Sequence, residues 1–188
     1  YGNKPISMAA AIAYSDNIYA VKTHLFLGEE NLVEFAKRIG IDENLEAVPS
    51  LALGTNEIGI LEMMEAYSTF ASEGYKVIPH FIEKVEDMNG NVLYEFKSPN
   101  ELILNKNTVY ILNELLANST SKEFIDYNYP TCINIAAKMS KTYAIKTGTT
   151  NTDHLIFGYN KDAILGIWMG YDDNRGTAVS DGTIMKNI

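Results

Sequence analysis

The sequence predicts an α+β fold in which helices flank an antiparallel sheet, and two patterns support this prediction. Apolar residues recur at helical spacing in the first two thirds of the chain, in stretches that end at glycine or at polar residues. The last quarter changes period, with three short β-type runs around residues 143–150, 154–159 and 163–172. Helices and strands that are grouped along a chain rather than alternating are typical of the α+β class.

Four helices are predicted, at residues 7–14, 28–41, 59–72 and 105–118. Ser7 has the hydroxyl of an N-cap, and the alanine-rich helix after it ends at Ser15-Asp16-Asn17. The second helix carries two glutamates in its first turn, where the helix dipole favours negative charge, and Gly40 at its end. Gly74 closes the third helix, and the fourth carries leucines at helical spacing.

One hairpin and a terminal sheet complete the predicted elements. Asn89-Gly90 predicts a β-hairpin over residues 82–96, because this dipeptide suits the positive backbone angles of a tight turn. Residues 160–162 form a short turn between the last two β-type runs, which predicts an antiparallel pair. Residues 119–132 are polar and follow neither period, so an irregular segment is predicted there.

The composition excludes several classes of protein. A net charge of -9 is unsuited to nonspecific binding of nucleic acid or of anionic membranes. Cys132 is the one cysteine, which excludes an intrachain disulfide, and the three histidines are scattered, so neither a metal nor another cofactor is predicted. The length predicts one domain over residues 1–188, which we expect to be truncated at its N-terminal side and at its C-terminus.

The clearest candidate site is Lys146-Thr147-Gly148-Thr149, at the end of the first β-type run. In a strand, Lys146 and Gly148 face one side of the sheet, and the two threonines face the other unless the strand twists sharply. A glycine inside a strand leaves space for another backbone or a ligand. An edge strand of this kind can pair with an extended peptide, and a lysine with nearby hydroxyls suits a carboxylate.

A second polar motif, Ser15-Asp16-Asn17, follows the first helix. The hydroxyl of Ser15 is suited to relaying a proton, and the amide of Asn17 is suited to holding a substrate amide at the mouth of a cleft. Ser98-Pro99-Asn100 matches the same pattern, but it follows the hairpin and its proline favours a loop. We prefer Ser15 because a buried helix delivers it to a fixed position.

Together these motifs resemble two of the three signatures of the penicillin-binding proteins, which carry S-x-x-K, S-x-N and K-T-G in chain order. The resemblance covers nearly the whole chain and is to the transpeptidase domain of the bifunctional, class A type. The stretches that carry it are ISMAAAIAYSDNIYAVK, FAKRIGI, PSLALGTNEIGILEMMEAYSTFASEGY, and IKTGTTN followed by FGYNKDAILGIWMGYDD. It implies part of the transpeptidase fold, which resembles that of serine β-lactamases.

The resemblance also implies a role for each residue of the lysine motif. Lys146 would raise the positive potential of the cleft, favour a neutral general-base lysine and bind the terminal carboxylate of the substrate. The hydroxyls of Thr147 and Thr149 would contact that carboxylate. The backbone N–H of Thr149 would form half of an oxyanion hole, and Gly148 would leave room for a bound stem peptide.

The serine motif has implied roles in the same reaction. Ser15 would relay a proton to the leaving D-alanine, and Asn17 would hold the substrate amide and orient the catalytic lysine. The implied partners are peptidoglycan stem peptides that end in D-Ala-D-Ala and β-lactam antibiotics, which mimic them. The parent protein would be anchored in the cell membrane, would act outside the cytoplasm and would be fused to a glycosyltransferase domain, whereas we expect these residues themselves to be soluble.

The first signature, S-x-x-K, is missing ahead of Ser15, since Ser7 is followed by Ala10 at the lysine position. In the family, its serine is the nucleophile and its lysine the base. Ser119 and Lys122 match the pattern, but they lie between the other two motifs, and no apolar helical stripe follows them. We therefore expect the nucleophile to lie outside these 188 residues, so that this chain alone is inactive.

Two alternative functions stay open. A serine β-lactamase would need a group that activates the deacylating water, and no Glu-x-x-Leu-Asn stretch follows Ser15 in the place expected for it. A non-catalytic module that binds peptidoglycan or a partner protein would keep the cleft without the nucleophile.

Overall fold

The computed structural model describes residues 2–41 and 44–187, in which six α-helices and five β-strands are found. The helices are α1 (Met8–Tyr14), α2 (Asn17–Leu27), α3 (Glu29–Arg38), α4 (Ile60–Ala71), α5 (Lys106–Ala117) and α6 (Val179–Met185). The strands are β1 (Lys84–Glu86), β2 (Val92–Glu95), β3 (Ala144–Thr149), β4 (His154–Tyr159) and β5 (Ile164–Met169). Within the described ranges, none of the helices has both the length and the apolar character needed to cross a bilayer.

Helix α1 is short, and it determines where the serine motif lies. The Ser7 hydroxyl accepts a hydrogen bond of 3.2 Å from the Ala10 N–H, which confirms the predicted N-cap. Ala11 and Ala13 are buried, so the helix is fixed by packing. It ends at Ser15, whose backbone lies in the left-handed region at φ 54° and ψ 51°. This conformation ends the helix and redirects the chain into α2.

Helix α2 is absent from the sequence prediction, which places no element between the serine motif and residue 28. Asp16 is its N-cap, since its Oδ1 accepts a hydrogen bond of 2.8 Å from the Tyr19 N–H. Apolar residues occur all around this helix, and Leu25, Phe26 and Leu27 are exposed. The stretch therefore lacks the one-sided apolar pattern from which helices are predicted.

Strands β3, β4 and β5 form an antiparallel sheet in that order, so that β3 is an edge strand of the sheet. Lys146 pairs with Phe157 and Gly148 pairs with Leu155, which fixes the register of the lysine motif. The predicted turn at residues 160–162 is confirmed, because the Asn160 N–H donates a hydrogen bond of 3.0 Å to the Ala163 carbonyl.

The sheet separates two apolar clusters. On the helix side, Ala144 and Tyr159 pack with residues of α3, α4 and α5, and Tyr67 of α4 stacks on Phe157 with ring centroids 4.9 Å apart. The second cluster includes residues on the opposite face of the sheet. Its buried members are Cys132, Ile135, Ile145, Ile156 and Met185. Met185 belongs to α6, a helix that the sequence prediction lacks.

The remaining predictions of helices and strands are confirmed, with one correction at residues 119–132. The helices predicted at 59–72 and 105–118 correspond to α4 and α5, and the hairpin predicted at 82–96 corresponds to β1 and β2. Residues 119–132 are more regular than predicted, because they include the 3-10 turns Asn118–Thr120 and Lys122–Phe124. The Ser121 hydroxyl caps the second turn by accepting a hydrogen bond from the Glu123 N–H. Such polar caps leave no trace in the hydrophobic pattern.

Candidate active site

The structure brings the two predicted motifs together at the end of α1. Lys146 on β3 donates a hydrogen bond of 2.8 Å from its Nζ to the Oγ of Ser15. A second hydrogen bond of 2.6 Å joins the same Nζ to the carbonyl of Thr147. Helix α1 and strand β3 reach each other because both contact α5. A cation and a hydroxyl from distant parts of the chain therefore share one hydrogen bond.

Burial gives Lys146 an unusual electrostatic environment. Removal of solvent lowers the pKa of Lys146 from its ordinary value of 10.5, although the nearby Cys132 acts in the opposite direction. Burial also raises the pKa of the Cys132 thiol, which is therefore uncharged at neutral pH. Among the ion pairs of the described residues, none joins a carboxylate to Lys146. This lysine is thus available to an anionic group of a ligand.

A small polar cavity of about 290 Å³ borders Ser15. Its other described lining residues are Tyr14, Asp16, Asn17, Tyr127 and Asn128. Asn17 is the first residue of α2 and is exposed, so a substrate amide can reach its side chain. Tyr127 and Asn128 are not among the predicted site residues, because they lie in the segment predicted to be irregular and match no motif.

The free edge of β3 is suited to binding an extended peptide. The Thr150 N–H donates a hydrogen bond of 2.9 Å to the Asp153 carbonyl, toward β4. Successive N–H groups of a strand point in opposite directions, so the N–H of Thr149 faces the free edge. Gly148 is exposed and has no positive φ, and a Cβ added to it would meet the Leu155 Cβ at an ordinary 3.5 Å. The fold itself therefore does not require glycine at this position.

The two threonines of the lysine motif lie on the opposite face of the sheet from the lysine side chain. Thr147 and Thr149 border a separate cavity of about 420 Å³, together with His154, Thr177 and Lys186. The alternation predicted for β3 is thus observed. A carboxylate that contacts both the lysine and these hydroxyls has to lie across the exposed end of the strand, where the two faces meet at the glycine.

A carboxylate fixes the turn that follows the lysine motif. Asp153 accepts hydrogen bonds from the Thr152 and Thr150 hydroxyls and, at 2.9 Å, from Nε1 of Trp168 on β5. These bonds, from Thr152 and Trp168 above all, lower the pKa of Asp153 from its ordinary value of 3.8. The turn is therefore tied to β5 across the sheet. This arrangement depends on contacts between strands, so no motif in the sequence indicates it.

Ser119, the alternative nucleophile, is buried in a 3-10 turn, at 2% exposure. Its Oγ has no hydrogen-bond partner among the described residues. Lys122 is exposed and begins a separate 3-10 turn. The two residues do not share a helix, so the helical geometry of an S-x-x-K signature is not formed here.

Comparison with known proteins identifies the family. The model of the penicillin binding protein transpeptidase domain matches residues 1–181, and the chain belongs to this family. Penicillin-binding protein 2D of Bacillus subtilis is 42% identical over 174 residues, which are 93% of this chain and 25% of that protein. Penicillin-binding protein 1A of Aquifex aeolicus is 34% identical over 178 residues, which are 92% of this chain and 22% of that protein. The chain thus spans about a quarter of the length of these relatives.

Solved structures show the same fold. Penicillin-Binding Protein 1A from Haemophilus influenzae has a TM-score of 0.83 and 23% sequence identity, over 97% of this chain and 34% of that chain. The PonA1 protein from Mycobacterium tuberculosis, solved in complex with penicillin V, has a TM-score of 0.75 and 21% identity, over 97% of this chain and 52% of that chain. The helices flanking an antiparallel sheet are therefore those of the penicillin-binding transpeptidase fold.

Proposed function

We propose that this chain forms one wall of the active site of a peptidoglycan D,D-transpeptidase, which cross-links stem peptides through an acyl-serine intermediate. The observation that carries the proposal is the hydrogen bond between Lys146 Nζ and Ser15 Oγ, because it unites the two signatures found in the sequence. Membership of the transpeptidase family and the identity to Penicillin-binding protein 2D support the same chemistry.

In the proposed reaction, a serine attacks the carbonyl carbon of the penultimate D-alanine of a donor peptide, and the terminal D-alanine leaves. The resulting ester passes its acyl group to an amine of a second peptide, which regenerates the serine. Lys146 binds the terminal carboxylate of the donor. Because an opposite charge favours the ammonium form, the bound carboxylate raises the pKa that burial has lowered, so binding and the charge of Lys146 are linked.

The other residues of the two motifs have supporting roles in this proposal. Ser15, hydrogen-bonded to the lysine, passes a proton to the amine of the departing D-alanine. The Thr149 N–H, at the free edge of β3, donates to the oxyanion that forms during attack. Gly148 leaves space for the peptide backbone, and the hydroxyls of Thr147 and Thr149 hold the carboxylate at the end of the strand. Asn17 holds a substrate amide and orients the catalytic lysine.

The nucleophile of this mechanism is proposed to lie in an S-x-x-K segment outside these 188 residues, since no such motif precedes Ser15. From the family and from relatives such as Penicillin-binding protein 1A, we further propose that the whole protein is anchored in the cell membrane, acts outside the cytoplasm and carries a glycosyltransferase domain. Its proposed ligands are stem peptides that end in D-Ala-D-Ala and β-lactams. The fold that this chain shares with PonA1, which was solved with penicillin V, supports the last of these.

Turnover of a donor peptide by the protein that carries this chain tests the proposal. We expect D-alanine to be released from a peptide that ends in D-Ala-D-Ala, and a cross-linked product to appear when an amine acceptor is added. Sustained hydrolysis of nitrocefin would instead identify a β-lactamase. Binding of peptidoglycan without release of D-alanine would identify a non-catalytic module.

A further inference from the structure

Residues 124–131, which the proposed mechanism does not use, fold back over the end of α1. We call them the wall segment. The Tyr14 hydroxyl donates a hydrogen bond to the Phe124 carbonyl at one end of the segment. At the other end, the Thr131 N–H donates a hydrogen bond of 3.0 Å to the Ala13 carbonyl. Both anchors lie in the last turn of α1, so the helix that positions the cleft serine also positions the wall segment.

Tyr127 is the aromatic side chain of the wall segment that borders the polar cavity beside Ser15. Its ring meets that of Tyr14 edge-on, with centroids 5.4 Å apart and an interplanar angle of 68°. Lys4 Nζ lies 5.8 Å from its centroid, and a Cβ added to Gly2 would lie 2.6 Å from its Cδ1. These contacts hold Tyr127 in place as an aromatic surface on one side of the cavity.

Asp16 is the charged residue among the described residues that line this cavity, while Lys146 reaches the cavity only through its hydrogen bond to Ser15 and is assigned to the terminal carboxylate of the donor. The carboxylate of Asp16 is held in place because it caps α2. Lys4 forms an ion pair with Asp126 and does not border the cavity. The described lining residues therefore comprise one carboxylate, several neutral hydrogen-bonding groups and no cation.

We propose that Tyr127 is a specificity-determining residue. It makes the site favour donor peptides with a neutral side chain beside the cleft over donor peptides with a carboxylate at the same place. This inference rests on the proposed function. A donor side chain that packs against the ring displaces water, which strengthens the repulsion between Asp16 and an anionic side chain and adds the cost of desolvating that side chain. A carboxamide of the same size carries no charge and can hydrogen-bond to the amides of Asn17 and Asn128.

The test compares two donor peptides that end in D-Ala-D-Ala and differ at one preceding residue, which carries either a carboxamide or a carboxylate. The readout is the ratio of their kcat/KM values for release of D-alanine by the protein that carries this chain. We expect the wild type to favour the carboxamide at least about tenfold, and Tyr127→Ala to reduce this ratio below about threefold. Tyr127→Phe is expected to keep the ratio, because the ring is retained.

Two further variants make the test specific. Tyr129 is 62% exposed and is not among the lining residues, so Tyr129→Ala is a matched control that should leave the ratio unchanged. Asp16→Asn keeps a good N-cap but removes the charge, and it should reduce the ratio even if Tyr127→Ala fails to fold. The inference is overturned if the ratio of kcat/KM values stays at its wild-type value in both Tyr127→Ala and Asp16→Asn, or if Tyr129→Ala lowers it as much as Tyr127→Ala does. The proposed function is unaffected by either result. If the wild type releases no D-alanine from either peptide, both the proposed function and the inference that rests on it are contradicted.

Discussion

Lys146 Nζ and Ser15 Oγ are 2.8 Å apart, although the two residues are separated by 131 positions in the sequence. The serine leaves a buried helix in the left-handed conformation, and the lysine belongs to the edge strand of a sheet. Neither element alone creates a site. Their contact places a cation without a carboxylate partner among the described residues beside a hydroxyl and a free strand edge, which is the arrangement that the proposed function uses.

The first prediction concerns the carboxylate of the donor peptide. Lys146→Met should lower kcat/KM for a peptide that ends in D-Ala-D-Ala by about 100-fold, because it removes the cation that binds the terminal carboxylate. The same variant should have little further effect on a peptide whose terminal carboxylate is replaced by a carboxamide. Lys138 is exposed and hydrogen-bonds to Asn187, so Lys138→Met serves as the control. Equal losses for both peptides in Lys146→Met would contradict the assigned role.

The second prediction separates function from stability at Gly148. A Cβ at this position meets Leu155 at an ordinary distance, so Gly148→Ala should raise the free energy of unfolding by about 0.5–1 kcal/mol. It should nevertheless lower kcat/KM for the donor peptide at least about tenfold, since the methyl group occupies space needed by the substrate. Gly158→Ala in β4 is the matched control, because its Cβ would lie 3.8 Å from Ile145. Full activity in Gly148→Ala would show that the glycine is not needed for clearance.

The third prediction concerns the pH dependence of the turn after β3. Hydrogen bonds lower the pKa of Asp153 in the folded state, so its contribution to stability is present above pH 3.8 and is lost as the pH falls through the folded-state pKa. Trp168 is the single tryptophan and donates to this carboxylate, so its fluorescence should change with a midpoint below pH 3.8.

Two aspartate variants show whether the fluorescence change comes from Asp153. Asp153→Asn should abolish the fluorescence midpoint and lower the free energy of unfolding at pH 7 by about 1–2 kcal/mol, because a charge-assisted network is weakened. Asp172 is exposed, and Asp172→Asn should leave both quantities unchanged. A midpoint that persists in Asp153→Asn would assign the titration to another group.

Several features of the fold and site could be predicted from local sequence. Ser7 caps α1 as predicted, and Asn89-Gly90 lies at the turn of the hairpin, because both features depend on a few neighbouring residues. The alternation along β3 places Lys146 and Gly148 opposite the two threonines, as the period of a strand requires.

Other features depend on contacts that a single sequence does not contain. Helix α2 lacks a one-sided apolar pattern, and α6 is recognised in the structure by its packing on the sheet. Tyr127 reaches the cavity beside Ser15 because the end of α1 anchors the wall segment, and the Trp168 bond to Asp153 depends on the pairing of strands. Tertiary contacts of this kind explain why the predicted site contains the motif residues but not the wall segment.

The most direct test of the central claim is labelling with fluorescent penicillin, followed by mass spectrometry of the labelled peptide. The claim predicts that the protein that carries this chain is acylated at a serine outside these residues, and that the 188-residue chain alone is not labelled. Ser119→Ala should leave labelling of the whole protein unchanged. Covalent label on the isolated chain, at Ser119 or at any other residue, would contradict the account.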